Sequence, residues 1–143
     1  MDLRDLPYFM GEWTRWKPRE EIAGRYYIDS FGMSENWSLI VQLSNTGNTQ
    51  KIKIVFPNIV GSYRYTNESY YIMVFGDLSD VYPDDFYSHW SLFKITNSQY
   101  LQWLLEQSYT LADRRPLQHY CIFAGDEVID VATQFEPEVT IIS

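Results

Sequence analysis

Between Trp37 and Phe56 apolar and polar residues alternate. Trp37, Leu39, Val41 and Leu43 fall on one phase, and Ile52, Ile54 and Phe56 on another beyond the polar segment SNTGNTQ (44–50). A period of two is that of a strand with one buried face. The two runs therefore predict a β-hairpin, with Gly47 available for a positive φ in the turn and Pro57 ending the return strand. Similar patterning predicts strands near 24–29, 59–66 and 90–95. Toward the C-terminus it predicts strands at 117–124 and 128–132, joined by a Gly125-Asp126 turn, and at 139–142.

The pattern changes after Thr96-Asn97-Ser98, three residue types that cap helices. From about 98 to 110, Leu101, Leu104, Leu105 and Tyr109 share one helical face, widened by Tyr100, Trp103 and Gln107. The short run 70–75 fits strand or helix equally. Residues 78–87, acidic and interrupted by Pro83, read as a loop, and the first twenty-odd residues read as an irregular aromatic wrap. The expected fold is α+β: a single domain over 1–143, with a predominantly antiparallel sheet and one main amphipathic helix packed on it.

Composition sharpens this only at the aromatics. Twelve Tyr, eight Phe and five Trp suit a β-rich core and its rim, and they also supply the side chains that dominate interface hot spots. One cysteine, Cys121, excludes an internal disulfide. The N-terminus lacks the apolar core of a signal peptide, and no apolar run reaches membrane-spanning length, so the default compartment is the cytoplasm.

Charge is more informative. Residues 1–76 hold eight basic and eight acidic side chains, whereas residues 77–143 hold three basic and eleven acidic ones, so the net charge of -8 belongs to the second half. Most of it lies in two clusters, Asp77, Asp80, Asp84 and Asp85, then Asp126, Glu127, Asp130, Glu136 and Glu138. Such a field opposes binding to nucleic acid or an anionic membrane and accelerates encounter with a basic partner.

Candidate chemistry is sparse. His119, Cys121 and Phe123 share one face of a predicted strand, but residues two apart on a strand are separated by roughly 6–7 Å, too far for a Cys–His nucleophilic pair. His89 and His119 do not form a zinc spacing. The Asp-rich segment 77–85 lacks the Gly and Glu of a calcium loop, and no nucleotide or hydrolase motif occurs. No metal or cofactor is expected. The basic residues Arg15, Lys17, Arg19, Arg25, Lys51 and Lys53 lie near aromatics, but Glu12, Glu20, Glu21 and Asp29 balance their segment, which argues against nucleic-acid binding.

Three segments, SYRYTNESY (62–70), HWSLFKITNSQYLQWL (89–104) and HYCIFAGDEVIDVATQFEPEV (119–139), together resemble bacterial immunity proteins encoded beside polymorphic or contact-dependent growth-inhibition toxins. The resemblance spans roughly the C-terminal two-thirds of the chain. It implies a non-catalytic protein that binds one toxin domain, often a basic nuclease, in a one-to-one complex. The mixture of Tyr and Asp between residues 63 and 87, where Tyr63, Tyr65, Tyr70 and Tyr71 precede the acidic loop, is the expected contact surface, first at Asp77, Asp80, Tyr82, Asp84, Asp85 and Tyr87, and second at the cluster with Asp126, Glu127 and Asp130. Two alternatives stay open: a binding or assembly module of another kind, and a small enzyme using His119 or His89 with a carboxylate.

Overall fold

The computed structural model describes residues 10–58, 60–83, 85–108 and 116–142. In chain order the strands are β1 (Glu12–Arg15), β2 (Tyr26–Met33), β3 (Leu39–Asn45), β4 (Lys51–Phe56), β5 (Ser62–Asn67), β6 (Leu92–Thr96), β7 (Gln118–Ala124), β8 (Glu127–Thr133) and β9 (Glu138–Ile141). Helix α1 (Ile72–Val81) follows β5 through a single 3-10 turn, and helix α2 (Gln99–Ser108) follows β6. Every pairing is antiparallel. The strands form two sheets, one ordered β1-β6-β7-β8-β5 and the other β2-β3-β4-β9.

The hairpin β3–β4 follows its alternation: Leu39, Val41, Leu43, Ile52, Ile54 and Phe56 are all fully buried. They face Tyr120, Ile122, Ile129 and Val131 of the five-stranded sheet in one core, where the rings of Phe56 and Tyr120 meet edge to face at 5.7 Å. Two details differ from expectation. Asn48, not Gly47, takes the left-handed conformation in the turn, and the Asn45 side chain accepts the amides of Thr49 and Gln50 there. Trp37 lies outside the strand, exposed and at φ 64°, an unusual conformation for a bulky residue.

The other face of the five-stranded sheet is covered by helices, which makes three layers. Phe75 and Leu78 of α1 and Tyr100 of α2 are buried on it. Strands β7 and β8 are thus buried on both sides, which explains why HYCIFA and VIDVAT read as near-continuous apolar runs and not as alternation.

Segment 78–87 is not a loop throughout, because α1 runs to Val81 and stops just before Pro83, where the proline ring disfavours further helix. The aromatic N-terminal segment contains β1, tied to β6 by pairings such as Trp13 with Ile95. Gly11, at φ 147°, permits that approach, since a Cβ there would meet Ile95 and the Thr96 carbonyl at 2.4 and 2.7 Å. The face of α2 is rotated from the expected one. Tyr100 is its buried residue, Leu101 and Leu104 are half-buried, Trp103 and Leu105 are exposed, and Tyr109 lies outside the described residues.

Candidate functional site

The densest polar constellation lies on the helix-covered face of the five-stranded sheet. Hairpin β7–β8 turns through Gly125, at φ 59°, and Asp126, and this two-residue turn fixes the register. Cys121 falls opposite Asp130 and His119 opposite Ala132, so His119 and Asp130 are diagonal neighbours on one face. On the other side of β8, Arg64 pairs directly with Asp130.

The Asp130 carboxylate is fully buried and saturated. Oδ1 meets His119 Nε2 at 2.6 Å, while Oδ2 accepts from Arg64 Nε at 3.0 Å and from the Tyr71 hydroxyl. Arg64 also donates to Tyr71 at 2.9 Å and lies 4.2 Å from the centre of the Tyr100 ring. On the far side of the imidazole, His119 Nδ1 is 2.7 Å from Ser98 Oγ, which accepts the Leu101 amide at 3.1 Å as the N-cap of α2. A carboxylate only accepts, so the directions close consistently: Leu101 N–H to Ser98 Oγ, Ser98 O–H to His119 Nδ1, His119 Nε2–H to Asp130.

Burial pushes the Asp130 carboxyl up, but hydrogen bonds and charge from His119, then Arg64 and Tyr71, outweigh it and hold the group below the usual carboxylate range. Burial first, and the Asp130 charge next, raise the Tyr71 hydroxyl and push the Cys121 thiol well up. Cys121 is therefore a protonated, buried thiol, the opposite of an activated nucleophile.

Ser98, His119 and Asp130 form a continuous relay, which superficially has the parts of a Ser–His–Asp hydrolase. The surroundings differ from such a site. All three side chains are buried and the Ser98 hydroxyl already accepts a backbone amide; Arg64 is the charged member that reaches solvent. What the arrangement does is pin four elements together, namely hairpin β7–β8, strand β5 through Arg64, the start of α1 through Tyr71, and the start of α2 through Ser98 and Tyr100. Every member carries a partner, as a buried charge requires.

The residues expected to bind a partner are scattered by the fold. Asp130 does not belong to the surface: at 0% exposure it is the centre of the array, and the expectation that it contacts a partner is corrected. Tyr82 and Tyr87 are half-buried and turned to internal tasks. The Tyr82 hydroxyl accepts the Trp13 amide at 2.8 Å, and Tyr87 bonds Ser79 at 2.8 Å and stacks on Phe75. Asp77 and Asp80 ride on α1, Asp85 is exposed with its carbonyl accepting from Arg15, and Asp84 lies outside the described residues.

The C-terminal acidic cluster splits three ways. Asp126 and Glu127 sit at the tip of hairpin β7–β8, and Asp130 is buried. Glu136 and Glu138 lie elsewhere, Glu136 beside a polar cavity of about 270 Å³ that Lys94, Gln118, Tyr120 and Gln134 also line. His89 is exposed beside Ser88 and away from the array.

Of the array, the sequence pointed to His119, to Ser98 as a helix cap, to Tyr100 on the α2 face and to Tyr71 as part of a contact surface, but it did not bring them together, and Arg64 was not singled out. The signal that could have found the array is an aspartate inside an apolar strand, brought opposite Cys121 by a two-residue turn. Among the described residues no cluster of His, Cys, Asp and Glu is arranged to hold a metal ion, and no helix is long and apolar enough to cross a membrane. No family model matches the chain, and neither curated proteins nor solved structures give a match.

Proposed function

We propose that this chain is an immunity protein: a bacterial, cytoplasmic, non-catalytic inhibitor that binds the toxic domain of a contact-dependent or polymorphic toxin and occludes it. The observation that carries the reading is the tip of hairpin β7–β8. There Asp126 and Glu127 sit on a strand pair anchored by the buried array, with Glu127 the diagonal neighbour of the exposed Tyr65. A rigid acidic tip beside exposed aromatic surface suits fast, oriented capture of a basic domain.

The Ser98–His119–Asp130 relay is committed to the fold, so binding accounts for the exposed chemistry better than catalysis does. On this reading Asp126 and Glu127 are preferred as the contact to the α1 aspartates, the reverse of the order expected from sequence.

The test is growth rescue. Co-expression with the toxic polypeptide encoded beside this chain is expected to restore growth, and Asp126→Lys combined with Glu127→Lys to weaken that protection. Rescue undiminished by this charge reversal, while Asp77→Lys with Asp80→Lys abolishes it, would move the contact to α1. Absence of rescue by the unaltered chain would reject immunity.

A further inference from the structure

Strand β2 carries a bulge. Ile28 pairs with Leu43 and Ser30 with Gln42, so Asp29 is an extra residue that shifts the phase of everything after it. As a result Phe31 and Met33 pair with Val41 and Leu39, the fully buried inner-face residues of β3. Across the gap, Tyr63 and Tyr65 pair with Val131 and Ile129, also fully buried on the inner face of their sheet. All four large side chains therefore face the interior of the sandwich.

They remain open to solvent because β2 and β5 are both edge strands of their sheets. Phe31 is 36% exposed, Tyr63 38% and Tyr65 47%, although the rings already stack: Phe31 lies nearly parallel to Tyr65 at 5.3 Å and edge-on to Tyr63 at 6.5 Å. The result is a preordered aromatic seam along the mouth of the sandwich.

Its rim is acidic. Glu127, two residues before Ile129 on the same face of β8, is the diagonal neighbour of Tyr65, and Asp126 adjoins it. Residues 26–50 contain no Lys or Arg, and Arg64 of β5 points to the opposite face, onto Asp130. Arg25, near Asp126, lies with its guanidinium 4.0 Å from the centre of the Phe123 ring.

We propose that this seam is the receptor for an arginine side chain presented by the basic partner, its guanidinium stacked on the open face of Tyr65 and paired with Glu127. The basic character of the partner rests on the immunity reading. The choice of arginine rests on the seam itself, because a planar guanidinium combines stacking on an aromatic face with forked hydrogen bonds to a carboxylate. A second copy of this chain fits poorly, since it would bring another net charge of -8 against the same carboxylates.

Two measurements decide it. In the first, the peptide acetyl-Gly-Arg-Gly-amide is titrated into the whole chain while the aromatic and backbone amide resonances are followed by NMR. Shifts confined to Phe31, Tyr63, Tyr65 and Glu127 are expected, weakened about fivefold or more when citrulline replaces arginine, as loss of a cation on an aromatic face implies. An equal response to citrulline, or none to arginine, overturns the proposal.

In the second, Phe31→Ala with Tyr65→Ala is expected to weaken the complex with the toxic domain about 30-fold, the scale of an interface hot spot. Tyr65→Phe, which keeps the ring, is expected to lose only a few-fold. If the unaltered chain binds the toxic domain and the double variant binds it equally well, the seam is rejected and immunity stands. If the unaltered chain does not bind, immunity is rejected and the peptide titration alone decides the seam. A homodimer dissociated by the double variant would assign the seam to self-association and overturn the proposal.

Discussion

Asp130→Ala is expected to destabilise the domain by about 3–5 kcal/mol, the cost of removing one partner from a buried charge network. The substitution strands Arg64, His119 and Tyr71 together, all of which donate to this carboxylate. Against a total stability of about 5–15 kcal/mol this is a large share, and it corresponds to a melting temperature lower by roughly 10–15 °C.

The same residue predicts an acid limb. Its carboxyl is held below the ordinary carboxylate value, so its contribution is full above that value and disappears as pH falls through the lowered one. The loss lies below about pH 4. Urea unfolding at about pH 7 and about pH 3 should show the gap between the native chain and Asp130→Asn narrowing at the acid value. A gap independent of pH would mean that Asp130 is not held as a carboxylate.

The second large effect is expected at Phe75→Ala. This ring touches Trp13, Tyr71, Tyr87 and Phe123, at centroid distances of 6.4, 6.0, 4.9 and 4.3 Å, and it is the main attachment of α1 to the sheet. Truncation of such a buried aromatic costs about 3–5 kcal/mol. Hydrogen exchange should show Leu78 and its neighbours losing protection before β7 and β8 do. A loss below about 1 kcal/mol would mean that α1 is held elsewhere. Because Phe75 and Asp130 both contact Tyr71, the two substitutions should not add.

Local patterning carried much of the fold. Alternation at 39–43 and 52–56 identified the β3–β4 hairpin, and Gly125-Asp126 identified the turn of β7–β8. It failed where a distant contact decides. The pairing of β1 with β6 joins residues about 80 positions apart, and nothing local announces it. Helix α1 begins after Tyr71 without a side-chain cap and carries the half-buried Asp77 and the exposed Asp80, so its start looked ambiguous and its second half looked like a loop. On α2 the greasier Leu face looked buried, but Tyr100 wins that place because its hydroxyl meets Ser62 at 2.5 Å and its ring lies against His119.

The array itself was half legible. Counting back from the two-residue turn puts Cys121 opposite Asp130 and His119 on the diagonal, enough to withdraw Asp130 from the acidic surface. Ser98, Arg64 and Tyr71 come from other elements and needed the tertiary structure. The separation of Glu136 and Glu138 from Asp126 follows from strand β8 lying between them, which the strand expected at 128–132 already implied.

The most direct test of inhibition by binding is a titration of toxic activity. The toxic domain encoded beside this chain is held at a fixed concentration well above its dissociation constant, and increasing amounts of this chain are added. Activity is expected to fall linearly to zero at one equivalent, with the complex isolated at one-to-one stoichiometry. Complete loss of activity at a small fraction of an equivalent would mean turnover, and would contradict the account.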